Sequence, residues 1–155
     1  WLNGTAIRRN AATLEETGRA SYDGEGWGIC ARPDADEVIF SDGSAELRRM
    51  DPRTLEERGR FTVTMDGRPV SGLNELECVG GDVYANIFTT TDIVRIDAET
   101  GRVTALIDAS GVPNNAADDP NNVLNGIAHI PGTDEFYLTG KRWPDMYRVT
   151  FAPAG

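Results

Sequence analysis

The sequence predicts an all-β fold, a β-propeller of four-stranded antiparallel blades, with about three and a half blades in its 155 residues. Three observations predict it. The chain overlays itself at shifts near the length of one blade. Each repeat breaks into runs of about 4–7 residues rich in Val, Ile, Phe and Tyr. Gly, Asp and Pro punctuate those runs at matching places.

The repeat is legible residue by residue. NAATLEETGR at 10–19 overlays DPRTLEERGR at 51–60, a shift of 41. MDPRT at 50–54 overlays IDAET at 96–100, a shift of 46. VYANIFTTTDIVRI at 83–96 overlays FYLTGKRWPDMYRV at 136–149, a shift of 53. Arg8, Arg49, Arg95 and Arg148 then share one position. Their expected use is to tie strands or blades through acidic or carbonyl partners, not catalysis.

The elements follow in order. A first run (GWGICA, LNELECV, LNGIAHI) leads through a turn to a second (EVIFSDG, DVYANIF, EFYLTGK). The third run is LRRMDP, IVRIDAETG or MYRVTF, and the first two of these lead into a fourth, GRFTVTM or GRVTALI. DAETGR at 97–102 reads as a hairpin connection with Gly101 available for positive φ. Residues 1–25 supply the outer half of one blade, and 26–72, 73–123 and 124–155 are successive blades, the last without a fourth strand. A twisted β-sandwich with accidental similarity is the alternative architecture. Propellers close with 4–8 blades, so three and a half are expected to be completed by a missing N-terminal segment or by another chain. An open sheet edge is otherwise a liability.

Composition narrows the function. A formal net charge of −10, from 15 Lys and Arg against 25 Asp and Glu, repels phosphate backbones and argues against nucleic-acid binding. No apolar run approaches the roughly 18 residues that span a bilayer. The first residue is Trp1, not Met, so the segment reads as processed, trimmed or excerpted, and carries no legible address. One histidine, His129, and two cysteines, Cys30 and Cys78, supply no metal cluster. No cofactor is expected. The overlay aligns Cys30 with Glu77, one residue out of step with Cys78; strand alternation then sends the two thiols to opposite faces, and no bridge is expected.

The overlay also gathers a candidate site. Trp27, Asn74 and Asn125 share the second position of the first run. Phe88 and Lys141 share a position just after the second. In a propeller the first strands line the axis, so these five approach one mouth, with apolar walls and a few convergent polar groups as in a ligand pocket. Asn125 is read rather as satisfying backbone groups between blades, which leaves four candidate site residues. Glu75 and Glu77, two apart on one strand face, read as a solvated or arginine-paired pair, and His129 as structural. Lys141, between Gly140 and Trp143-Pro144, reads as a positioned electrophile or charge clamp.

DGEGWG at 23–28, SDGS at 41–44, LNELE at 73–77, VYAN at 83–86, VLNGIA at 123–128 and LTGKRWP at 138–144 occur in order along essentially the whole chain. Together they resemble the plant and bacterial type of glutaminyl-peptide cyclotransferase. The resemblance implies a five-bladed propeller that cyclises N-terminal Gln of a peptide or protein to 5-oxoproline and releases ammonia without a metal. It assigns Asn74 and Lys141 to polarising the amide and contacting the oxyanion, and Trp27 to the pocket wall. Phe88 stands where the family has a second wall tryptophan, which keeps the aromatic wall and drops an indole N–H.

The family's acid/base glutamate belongs to an ES-T-G-like motif that this chain does not contain; Glu16 in EETG aligns with Glu57 in an outer-strand linker and does not inherit the role. It is expected upstream, which leaves residues 1–155 inactive alone. The resemblance also implies export to a periplasmic or extracellular space. Two other classes compete: a non-catalytic propeller that binds a partner at its mouth or edge, and a lactonase-like hydrolase, which the lack of an axial His and carboxylate ring disfavours.

Overall fold

A computed structural model describes residues 2–153; Trp1, Ala154 and Gly155, the outermost residues of the expected units, lie outside the described residues. Strands β1 (Thr5–Arg9) and β2 (Glu16–Ser21) pair with each other. Next come β3 (Ile29–Arg32), β4 (Glu37–Phe40), β5 (Glu46–Met50) and β6 (Glu57–Thr62), hydrogen-bonded in that order. β7 (Thr64–Met65) and β8 (Arg68–Pro69) form a small hairpin. β9 (Leu73–Val79), β10 (Asp82–Ile87), β11 (Asp92–Asp97) and β12 (Val103–Asp108) make a second four-stranded sheet. The last sheet has three strands, β13 (Leu124–His129), β14 (Glu135–Gly140) and β15 (Tyr147–Thr150). Every strand pair within these sheets is antiparallel, as propeller blades require.

Local chemistry explains the outer hairpins. Asn10, Asp51 and Asp97 each receive two backbone N–H groups at one side-chain oxygen: Ala12 and Thr13, Arg53 and Thr54, Glu99 and Thr100. The amides of Thr54 and Arg53 pull the Asp51 carboxyl down to about 2. Each turn leaves through a left-handed residue. Gly101 takes φ 72° as its sequence suggests, but the equivalent residues are leucines, Leu14 at 59° and Leu55 at 60°. A left-handed leucine costs roughly 1–2 kcal/mol. Leu55 offsets this by burial with Val38, Phe40 and Met50.

Three of the four repeated arginines tie strands within a blade. Arg49 donates to Glu37 at 2.8 Å, Arg148 donates through Nε to Glu135 at 2.8 Å, and Arg95 lies 3.9 Å from Asp82. Each acidic partner opens the second strand of the same blade. Arg49 also reaches the next blade, donating to the carbonyl of Ala98. GRFTVTM is not one strand: β6 ends at Thr62, and Asp66 and Gly67, both at positive φ, turn the chain into the β7–β8 hairpin.

Between blades lie the cores. Ile39, Leu47, Leu73, Leu76, Val83 and Val94 interleave the β3–β6 and β9–β12 sheets. Ile93, Leu124, Ile127, Phe136 and Leu138 do the same for the β9–β12 and β13–β15 sheets.

The expectation of unbridged cysteines is overturned. Cys30 on β3 and Cys78 on β9 form a disulfide with their Cα atoms 5.4 Å apart. Strand parity was sound but its consequence was inverted. Blades stack face to face, so residues that meet across the interface come from opposite faces of their own sheets. The position equivalent to Cys30 is Glu77, and it too reaches forward: its carboxylate accepts the backbone N–H of His129, the equivalent of Cys78, at 2.9 Å. A covalent bond and a hydrogen bond occupy the same place at successive interfaces.

Candidate functional site

The mouth is built on a repeated irregularity. On β9, Ala85 faces Leu76 and Ile87 faces Leu73, so Asn74 and Glu75 together oppose Asn86. On β13, Ile127 faces Leu138 and Leu124 faces Gly140, so Asn125 and Gly126 oppose Thr139. Ahead of β3, the Trp27 N–H donates to the Ser41 carbonyl at 2.9 Å and the Ser41 N–H to the Gly28 carbonyl at 3.0 Å, which sets Trp27 and Gly28 against Ser41. All three first strands thus carry a two-against-one β-bulge at the same end, a device that re-aims a side chain and ends regular pairing. Trp27, Asn74 and Asn125 are the first bulge residue in each case.

A bulge leaves an N–H without a ladder partner, and side chains supply one each time. The Gly28 N–H donates to Ser41 Oγ at 2.8 Å, and that hydroxyl donates onward to the Asn74 carbonyl at 2.6 Å. The Glu75 N–H donates to Asn125 Oδ1 at 3.2 Å, and the Gly126 N–H to Asn86 Oδ1 at 3.1 Å. Two of these bonds and the Ser41 relay cross between blades. Gly28 is obligatory here, because a Cβ would collide with the Asn74 carbonyl oxygen.

Three of the four predicted site residues come together. The Trp27 ring meets Phe88 edge to face, centroids 5.3 Å apart at 68°, worth about 0.5–1.5 kcal/mol beyond area burial. Trp27 Nε1 donates to Glu25 at 2.7 Å, and its ring lies over Gly43. Phe88 is anchored by its N–H to the Gly72 carbonyl at 2.7 Å, while the Gly72 N–H donates to the Gly43 carbonyl. Both rings are more than a third exposed, so they form a wall, not a core. Asn74 adjoins them through Gly28 and Ser41. It is 7% exposed, and among the described residues its side-chain amide takes no hydrogen bond.

Lys141 shares the end of the blades but not these contacts. Its N–H donates to the Val123 carbonyl at 2.9 Å, just past the Leu124–Gly140 pair. The following turn is tight: Arg142 has φ 59°, and the Trp143 indole covers Gly140 so closely that a Cβ would overlap it. Trp143 Nε1 donates to the Asn122 carbonyl at 2.9 Å. The Lys141 side chain is exposed, and among the described residues its ammonium makes no ion pair within 4.0 Å; hydrogen bonds from Asn121 lower the Asp119 carboxyl, and the charges of Arg142 and Lys141 add to this.

Sequence reasoning missed two things here. Ser41 and Asn86, the residues opposite the bulges, carry the hydrogen bonds that fix the mouth; their alignment with Thr139 was the available signal. It also misread Glu75 and Glu77. That face opposes β13, not solvent or arginine, so Glu77 binds the His129 amide and Glu75 is half-buried. Burial first, then the charge of Glu77, pushes the Glu75 carboxyl up to about 7, against an opposing hydrogen bond from the Leu76 amide. The His129 ring contacts the Thr133 carbonyl through Nε2 at 2.8 Å. Among the described residues no three His, Cys, Asp or Glu side chains converge as metal ligands.

Comparisons with known proteins agree with this architecture. A glutaminyl-peptide cyclotransferase of Arabidopsis thaliana is 30% identical over 158 aligned positions, which cover 99% of this chain and 49% of that protein. The chain therefore spans about half the length of this relative. The crystal structure of Myxococcus xanthus glutaminyl cyclase superposes with a TM-score of 0.90 at 35% identity, covering 96% of this chain and 64% of that one. A chain of a mitotic checkpoint complex, at 12% identity and a TM-score of 0.56, shares the fold alone. The sequence profile of the glutamine cyclotransferase family matches residues 1–151, and with the bulged propeller mouth described above the chain belongs to that family.

Proposed function

We propose that residues 1–155 supply most of the mouth of a glutaminyl-peptide cyclotransferase, whose substrate is a peptide or protein beginning with Gln. In this reaction the α-amine attacks the γ-amide carbon, a C–N bond forms, and ammonia leaves from the tetrahedral intermediate. The observation that carries the reading is the Trp27–Phe88 wall beside a buried Asn74 whose amide is unclaimed. A folded-back glutaminyl side chain needs such a wall to hold its carbonyl carbon against its own amine, and proximity of this kind supplies much of the rate. Asn74 donates to the amide oxygen, and the Lys141 ammonium balances charge as the oxyanion develops. The carboxylate that passes a proton from amine to leaving group comes from outside residues 1–155, since no ES-T-G-like motif occurs within them. The Cys30–Cys78 bridge supports an oxidising, exported setting.

The test is incubation of the full-length polypeptide with a Gln-initiated peptide, following loss of one ammonia by mass spectrometry. Conversion to the 5-oxoprolyl peptide is expected. Binding of the peptide without conversion would instead mark a non-catalytic module.

A further inference from the structure

Glu75 is the side chain that the mouth's own repeat does not explain. It is the second bulge residue of β9; the equivalent residues are Gly28 and Gly126. At Gly28 a side chain is impossible, and at Gly126 a Cβ would sit 2.6 Å from Thr139 Cγ2. Only the middle blade therefore presents a functional group at this position, directly after Asn74. Its backbone is fixed, with the N–H held by Asn125.

The surroundings give the carboxyl a hydrogen bond from the Leu76 amide but no cationic partner. Three strands pack against β9: β3, β10 and β13. On β3, Arg32 is engaged by Glu37 and Glu99. On β10, Asp82 lies near Arg95 and Tyr84 stands opposite Glu77. On β13, His129 binds Glu77 and Thr133. Glu77, on β9 itself, is the one charge among these that acts on Glu75, and it disfavours ionisation. No arginine or lysine pairs with Glu75 within 4.0 Å among the described residues.

We propose that Glu75 is a further catalytic residue of this mouth, the base that removes a proton from the substrate's α-ammonium before cyclisation. The inference rests on the glutaminyl cyclase reading. The chemistry requires such a step, because an N-terminal amine is mostly protonated at neutral pH, with a pKa of about 7.7–8.0, and an ammonium has no lone pair. An N–H bond breaks and an O–H bond forms on Glu75. The freed amine then attacks the γ-carbonyl carbon, and its second proton passes to the amide nitrogen through the carboxylate outside residues 1–155. Ammonia departs and takes the proton held on Glu75, leaving as ammonium and restoring the carboxylate. A group that titrates near the amine it serves is suited to both exchanges.

The experiment compares wild type, Glu75→Gln and Glu75→Asp in the full-length polypeptide, measuring kcat/KM for a Gln-initiated peptide from about pH 5 to about pH 9. Glu75→Gln is expected to lose up to about tenfold at neutral pH, the excess of protonated over free amine for a pKa of about 7.7–8.0, and to recover as the pH passes that pKa, where the free amine forms unaided. Glu75→Asp should restore part of the loss. An unchanged acid limb in Glu75→Gln, or a loss equal at every pH, overturns the proposal while leaving the function intact. Absence of cyclisation by wild type removes the function and the proposal together. Should Glu75→Gln misfold, carbon-13 titration of the wild-type Glu75 carboxyl decides: its midpoint must fall when a norleucine-initiated peptide brings an unreactive α-ammonium, and an unmoved midpoint refutes the role.

Discussion

Replacing Cys30 and Cys78 together by Ala tests the blade interface directly. The bridge closes a loop of 48 residues. Restricting a loop of that length in the unfolded chain is worth about 4 kcal/mol by chain entropy. For a chain of this size each kcal/mol moves Tm by about 2–4 °C, so the double variant should melt roughly 8–16 °C below the oxidised protein. Alanine is the replacement of choice because Cys30 is buried in the inter-blade core, where a serine hydroxyl would add its own penalty. The assay is thermal unfolding by circular dichroism on oxidised wild type, reduced wild type and the double variant. Both altered forms should shift in the same direction, and thiol labelling of the unreduced denatured protein should fail. Equal melting of oxidised and reduced wild type would refute the reasoning, as would free thiols in the protein as isolated.

Other outcomes follow from the mouth. Lys141→Ala and Asn74→Ala should each lower turnover of the full-length polypeptide by about 10²-fold or more, with the fold unchanged by circular dichroism; unaltered kcat removes that residue from the mechanism. Asn125→Ala strips the Glu75 N–H of its acceptor and should cost about 1–3 kcal/mol in urea unfolding. Glu75→Gln should stabilise the protein in a pH-dependent way. The folded carboxyl titrates near 7 and the unfolded one near its ordinary value of 4.5, so wild-type stability falls as pH rises between the two. Below that window the variant and wild type should match; above it the variant should gain of order 2–3 kcal/mol. A gain that does not vary with pH would contradict the burial of Glu75.

The self-overlay made the blades readable because each is one supersecondary unit with its own turn chemistry: Asp51 and Asp97 announce their hairpins as clearly in sequence as in structure. It also made the mouth readable, since equivalent residues of a repeat must lie at equivalent heights. The proximity of Trp27, Phe88 and Asn74 was legible that way. Two kinds of information were hidden. Alternation gives the face a residue occupies within its own sheet, but not which neighbour that face meets, so Cys30 and Cys78 were misjudged. Burial arising between sheets is likewise invisible to spacing, and Glu75 read as one of a solvated pair. The left-handed Leu14 and Leu55 escaped for another reason: a tertiary contact at Leu55, and tolerance at an exposed site for Leu14, override the glycine preference that Gly101 obeys.

The repeated bulge separates two tasks, holding the backbone and presenting a side chain. Its second residue is riveted, by Ser41 at the first blade, Asn125 at the next and Asn86 at the last. Its first residue needs only to extend, and so acts as a socket into which side chains as unlike as an indole and a carboxamide can be fitted. The third socket, Asn125, has been taken over as a rivet for its neighbour. What faces the mouth can therefore be rewritten one blade at a time at Trp27 and Asn74, as one changes the bit and keeps the handle. At Asn125 the same change would loosen the handle itself.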